Sequence, residues 1–334
     1  MVRQRSAKPS SAGSIPAVAS IPVPPAFNFE STVVSHGWYL LAPFRWSRAH
    51  GVLYRPEILG GKVRHLQITA PNVAPRPSAA AAEGGGPTSA AAEGGGTTSA
   101  ALKVEGAEDS DELRSKLTRM FQLHVDTSEF IGIATESSDH AWVASAGFGR
   151  LLCGSTLFED AVKIITTTNT TWRQTMRMVE LIVSKCGRGG TFPLPKDVAR
   201  FSVDDLQRDC RLGYRAKSIH ALAAGIGDGS IDLHAIADPS QSTEELFASY
   251  RKLAGIGPYG AAHLLAMDGR HDFIAVDSEF RRFVRERHHK GRRVSDQTML
   301  RRYAKWGKWK YLAYWSELWK SVAERLQPME NVDK

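Results

Sequence analysis

Cysteine is scarce in this 334-residue chain: Cys153, Cys186 and Cys210 are the only three, far apart and without CxxC spacing. That excludes a disulfide framework and supplies no zinc or iron–sulfur ligand set, so the three read as reduced, mostly buried thiols. Long apolar runs are missing too. No stretch approaches the roughly 20 residues that span a bilayer, and the N-terminus lacks the apolar block of a secretory signal, so no membrane partner and a place inside the cell are expected. Acids are thin in two places: none precedes Glu30, and between Arg281 and Lys310 only Glu286 and Asp296 stand against twelve Lys or Arg. The net charge of +8 and that basic run fit a polyanionic partner, the bland alternative being a solvated face.

Composition divides the chain. Residues 1–26, rich in Ser, Ala, Pro and basic residues, read as a disordered tail, with an organelle transit peptide as the alternative. Residues 27–72 read as a small antiparallel sheet built from VVSHGWYLL, VLYRPEIL and KVRHLQIT, with Gly60-Gly61 turning the last two into a hairpin. Residues 73–108 carry the near-repeat SAAAAEGGGPTSA and SAAAEGGGTTSA, too poor in large apolar side chains to offset the entropy of ordering, and read as a floppy insertion. Residues 109–325 are helical by pattern, and 326–334 are a tail. Leu113, Leu117, Met120 and Phe121 share one helical face, Trp172, Met176, Val179 and Val183 another, and Thr156/Glu159 and Ser242/Glu245 have capping-box spacing. The fold class is therefore mainly α with a small N-terminal antiparallel β-sheet.

Two segments carry the chemistry. LAGIGPYGAAHLL, residues 253–265 within a helix-turn-helix pattern over 242–267, places Gly255 and Gly257 in a tight turn whose amides can hold a phosphate oxygen. An ordinary helix connection with glycine caps would look the same. Downstream, FIAVDSEFRRF sets Asp277 eighteen residues after Tyr259, ahead of a helix opening with Arg281 and Arg282. A carboxylate there is ordinarily only a cap.

Taken as a pair, these segments resemble the helix-hairpin-helix (HhH-GPD) DNA glycosylase superfamily, in its 3-methyladenine and 8-oxoguanine branches. FNFESTVVSHGWYLLAPFRW is similar to the N-terminal sheet of the alkylation-repair branch, and GFGRLL, TLFEDAVKIITTTNTTW and LGYRAKSI to the helical body shared with the oxidised-guanine branch. YAKWGKWKYLAYW resembles the closing helix, whose Trp306, Trp309 and Trp315, with Trp319, read first as core and second as base-stacking surface.

The resemblance implies the helix-hairpin-helix glycosylase fold and hydrolysis of the N-glycosidic bond of a damaged base, alkylated or oxidised, flipped out of duplex DNA. Asp277 would be the catalytic carboxylate; Gly255, Gly257, Tyr259, Arg281 and Arg282 would meet DNA, and Asn169, Tyr214 and Arg215 would fill the gap and hold the orphaned base. His263, four residues after Tyr259, is either in the base pocket or packed in the core. Where bifunctional relatives carry a Schiff-base lysine stands Tyr259, and neither Lys217 nor Lys252 occupies that position, so a monofunctional enzyme is expected. Gln174 stands where the oxidised-guanine branch has a second arginine for cytosine, and Ala254 where the hairpin commonly has proline. No cysteine follows Cys210, so no iron–sulfur cluster and no metal are expected, with a monovalent cation at the hairpin the one ion left open. The remaining expectations are a monomer, nuclear, with plastid or mitochondrial targeting open. Two other readings stay open: a non-catalytic hairpin DNA-binding protein, and a glycosylase-lyase using a displaced lysine.

Overall fold

The computed structural model describes residues 17–70 and 100–326. Its strands are β1 (Val18–Pro22), β2 (Arg45–Ser47), β3 (Val52–Leu59), β4 (Lys62–Thr69) and β5 (Ala101–Glu105). They form one antiparallel sheet in the order β1-β5-β4-β3-β2. VLYRPEIL and KVRHLQIT are β3 and β4 with the expected bounds, and Gly60 and Gly61 between them have φ of +56° and +74°, the left-handed pair a two-residue hairpin turn needs.

Three expectations are corrected. VVSHGWYLL is not a strand: Phe29–Val33 is helical and Gly37–Leu40 a 3-10 turn, because the Asn28 Oδ1 accepts the Ser31 N–H at 2.9 Å and opens a helix. The disordered reading of 1–26 fails at its end, since Val18–Pro22 is β1. The floppy reading of 73–108 fails likewise at Ala101–Glu105, which is β5 and joins β1 to β4. Both strands bury alternate residues, Ala19 and Ile21 facing the core beside Leu102 and Val104, a period-two pattern that composition alone hides. The rest of both readings, like the C-terminal tail from residue 327, lies outside the described residues.

The helical body forms because its helices are capped and striped as the sequence implies. Ser242 and Glu245 close a reciprocal capping box, and Leu113, Leu117, Met120 and Phe121 are fully buried. At Thr156 only half the box forms: its hydroxyl accepts the Glu159 N–H, while the Glu159 carboxylate turns away to Arg55 and Lys163. Arg55, fully buried on β3, donates to Glu159 Oε2 at 2.6 Å, Glu57 Oε2 at 2.8 Å and Ser155 Oγ at 3.0 Å. Burial alone would push Glu159 up, but Arg55 and Lys163 hold it well below the usual carboxylate range. This charge knot fastens the sheet to the Leu157–Thr167 helix. Two apolar clusters make the core, and the Pro258–Met267 helix stands between them, giving Leu264 and Leu265 to one and Ala262 and Ala266 to the other.

Candidate nucleic-acid and base-binding site

The hairpin is built as its glycines require. Gly255 has φ +80°, and a Cβ on it would come within 2.7 Å of the Ser218 Cβ, so conformation and space both demand glycine. Gly257 differs: it caps the Pro258–Met267 helix in extended conformation and faces open space. With Pro258 first in the helix, the outward amides at this end belong to Gly257 and the residues after Pro258, set at the positive end of a ten-residue helix.

Tyr259 and His263 follow on that helix, four residues apart and therefore on one face. Their rings meet edge to face at 4.5 Å, and the His263 Nδ1 lies 3.1 Å from the Tyr311 hydroxyl. Tyr311 stacks on Trp315 at 5.8 Å and 10°, and Trp315 on Trp319 at 6.3 Å and 12°, because residues four apart on the Lys310–Leu326 helix superpose. Trp315 is held by its Nε1–H, which donates to the Ser35 carbonyl at 2.9 Å. The four half-buried members, Tyr259, His263, Trp315 and Trp319, give this wall an open side, while Trp306 and Trp309 are core. Burial holds His263 down at about 4, so the imidazole is neutral at pH 7.

Asp277 is the N-cap of the Ser278–His289 helix, its Oδ1 accepting the Phe280 N–H at 2.7 Å. It is half-buried, and burial pushes its carboxyl up from the ordinary aspartate value, opposed by that amide. Its charge is felt by the wall: Tyr259 is pushed up to about 12 by burial, eased by a hydrogen bond with Thr167 and raised further by Asp277, and Tyr311 and Tyr314 feel the same carboxylate. The two sequence segments thus converge, bringing Tyr259, His263 and Asp277 into one neighbourhood. Tyr311 was not singled out from sequence, although its i, i+4, i+8 relation to Trp315 and Trp319 was legible.

A second group sits at the turn after the Leu157–Thr167 helix. Asn169 is exposed in the left-handed region at φ +46°, and its Nδ2 donates to the Tyr214 hydroxyl at 3.2 Å. Tyr214 is 60% exposed. Arg215 is a correction: it is buried, and its guanidinium donates to the Thr168, Asn169 and Leu212 carbonyls, so it fastens this turn instead of presenting a free fork to a base. Gln174 closes a capping box with Thr171. Arg281 and Arg282 are also not free as expected. Arg281 grips Asp296 through two bonds of 2.9 and 2.8 Å, and Arg282 lies between Glu279 and Glu286. Lys217 and Lys252 are exposed. Among the described residues no cluster of His, Cys, Asp and Glu could hold a metal ion.

The chain thus combines a small antiparallel sheet, a helical body and a glycine hairpin followed by a capping aspartate. Residues 162–308 match the profile of the HhH-GPD superfamily base excision DNA repair protein. Among solved structures the chain is similar to the 3-methyladenine DNA-glycosylase of Archaeoglobus fulgidus, with a TM-score of 0.66 and 18% identity over 90% of this chain and 98% of that one. It is also similar to the 8-oxoguanine glycosylase/lyase of Clostridium acetobutylicum, solved with dsDNA containing cytosine opposite 8-oxoG, with a TM-score of 0.64 and 16% identity over 90% and 93%. No curated protein matches it. The profile match covers less than half of the chain, and what the two solved structures share with it is the fold.

Proposed function

We propose that the protein is a base-excision DNA glycosylase that hydrolyses the N-glycosidic bond of a damaged base flipped out of duplex DNA, with Asp277 as catalytic carboxylate. The observation that carries this reading is the half-buried Asp277 beside an aromatic wall, two of whose members, Tyr259 and His263, stand on the helix whose N-terminus closes the hairpin. Breaking the bond builds positive charge on the sugar; an anion in a partly desolvated place lowers that barrier, and the same carboxylate can take a proton from the attacking water. The wall offers a flipped base an aromatic face beside a neutral imidazole, which helps offset an unstacking cost of a few kcal/mol. Phosphates would meet the hairpin amides and the cations of 281–310, so affinity should fall steeply with salt.

Tyr259 stands where a lysine would form an imine, and a phenol cannot, so the reaction is hydrolysis alone and leaves an abasic site. A monovalent cation, if bound, would be held by backbone carbonyl oxygens of the Leu253–Gly257 turn, hard donors of the right kind, and would add positive charge there. The protein is read as a monomer acting in the nucleus.

A panel of duplexes bearing alkylated or oxidised bases, scored with and without alkaline cleavage, tests the reading. Alkali-dependent breaks support a monofunctional glycosylase. Breaks without alkali, with a borohydride-trapped adduct, move it to the lyase class, and binding without excision leaves a hairpin DNA-binding protein.

A further inference from the structure

The face expected to bury Trp172 and Met176 does not do so. Val179 and Val183 on that stripe are buried, but Trp172 and Met176 at the start of the Trp172–Cys186 helix are 39% and 36% exposed. Together with the exposed Tyr214 they leave apolar and aromatic surface available to a partner. The indole is nonetheless held in place. A Cβ on Gly37 would meet two of its ring atoms at 2.6 and 2.8 Å, so the ring lies directly on the glycine backbone of the 3-10 turn. Such a braced ring loses little freedom when something stacks on it.

Its neighbours indicate what that is. Trp172 lies three residues after Asn169, which is hydrogen-bonded to the exposed Tyr214. Arg173 follows Trp172 directly, Arg211 and Lys217 stand three residues to either side of Tyr214, and all three are exposed cations. Aromatic rings interleaved with exposed cations are the composition that receives unstacked bases and their phosphates. Arg215, expected to hold the orphaned base, is engaged on the Thr168 and Asn169 carbonyls, and Gln174, which stands in place of a second arginine, accepts through its Oε1 in the Thr171 cap.

Resting on the glycosylase reading above, we propose that Trp172 is a stacking platform for the strand facing the lesion. It ranks the opposite base by stacking area, purines over pyrimidines, instead of by hydrogen bonding to one base.

The test is binding of the full chain to duplexes carrying a tetrahydrofuran abasic analogue opposite A, G, C or T, with an unlesioned duplex alongside, measured by fluorescence anisotropy. The wild type should bind purine-opposite sites several-fold more tightly than pyrimidine-opposite ones. Trp172→Ala should lose on the order of tenfold on the abasic duplexes, the worth of one stacked base, and flatten the ranking. Trp172→Phe should restore most of both, with the unlesioned duplex unaffected. Equal binding by wild type and Trp172→Ala at all four sites overturns the inference, as does an equal loss on unlesioned DNA. If both variants lower the thermal midpoint while the ranking persists, Trp172 merely covers Gly37 and the inference is again overturned. A wild type indifferent to the abasic site removes the glycosylase reading and this inference with it.

Discussion

Asparagine at position 277 separates the charge of Asp277 from its structural work. The cap depends on one oxygen accepting the Phe280 N–H, and asparagine caps as well as aspartate, so Asp277→Asn keeps the helix start while Asp277→Ala loses about 1 kcal/mol of stability. Asparagine lacks the charge. At a separation of about 4 Å and an effective dielectric of about 20, a unit charge pair is worth about 4 kcal/mol. Applied to a sugar cation formed in the transition state, that corresponds to about a 10³-fold loss in excision rate, with lesion binding nearly unchanged. Single-turnover excision, read as alkali-labile breaks, gives the rate; anisotropy gives the binding. The wild-type rate should also fall as pH drops through a value above the ordinary aspartate pKa, since burial raises this carboxyl and only the anion is active. Because the folded state holds that proton more tightly than the unfolded one, ionising Asp277 costs stability as pH rises through the same window. Asp277→Asn should therefore not melt earlier at neutral pH. Excision by the asparagine variant within about tenfold of the wild type would refute the assignment.

Three further outcomes follow from the geometry. Tyr214→Ala should impair lesion duplexes far more than single strands, whereas Arg215→Ala, by freeing the Thr168 and Asn169 carbonyls, should impair both and lower the melting temperature; identical substrate profiles for the two variants would contradict this division. Excising residues 75–97 should leave midpoint and activity unchanged, because Thr69 and Lys103 are register partners and a short turn can join β4 to β5. Extending the cut through Gly106 removes β5 and should destabilise the protein strongly, and thermal melts of the two deletions check this. Arg55→Leu, which leaves Glu57 to Lys116 and the buried Glu159 to Lys163 alone, should cost about 3 kcal/mol in urea unfolding, and a loss under 1 kcal/mol would show the knot to be dispensable.

What could be read from sequence was local. β3 and β4 follow from alternation around Gly60-Gly61, and the Ser242 cap from its spacing, because each depends on neighbours a few residues away. Asp277 could be put forward as a candidate because its motif is short and paired with the hairpin, and its place as the cap of the Ser278–His289 helix follows from the same short window. Arg215 was misjudged because what decides its role is the path of the Thr168–Asn169 backbone, 46 and 47 residues away. The half-formed box at Thr156 has the same origin, since Glu159 is claimed by an arginine 104 residues earlier. β1 and β5 were hidden because low-complexity surroundings dominate the composition on both sides. The aromatic wall joins Tyr259 and His263 to Tyr311 and Trp315, and no single window contains both pairs.

The knot around Arg55 also bears on how the protein comes apart. A sheet resting on a helical body through apolar contact alone could peel away and exchange its amide protons early. Here separation would pull Arg55, with Glu57 beside it on β3, away from the buried Glu159 carboxylate on the helix, so the sheet's slowest amides should exchange only when the Leu157–Thr167 helix also opens. That helix feeds directly into the Asn169 turn. Sheet and Asn169 turn are therefore parts of one cooperative unit, and a sheet borrowed from a relative without an arginine to meet Glu159 would unsettle the turn as well as the core.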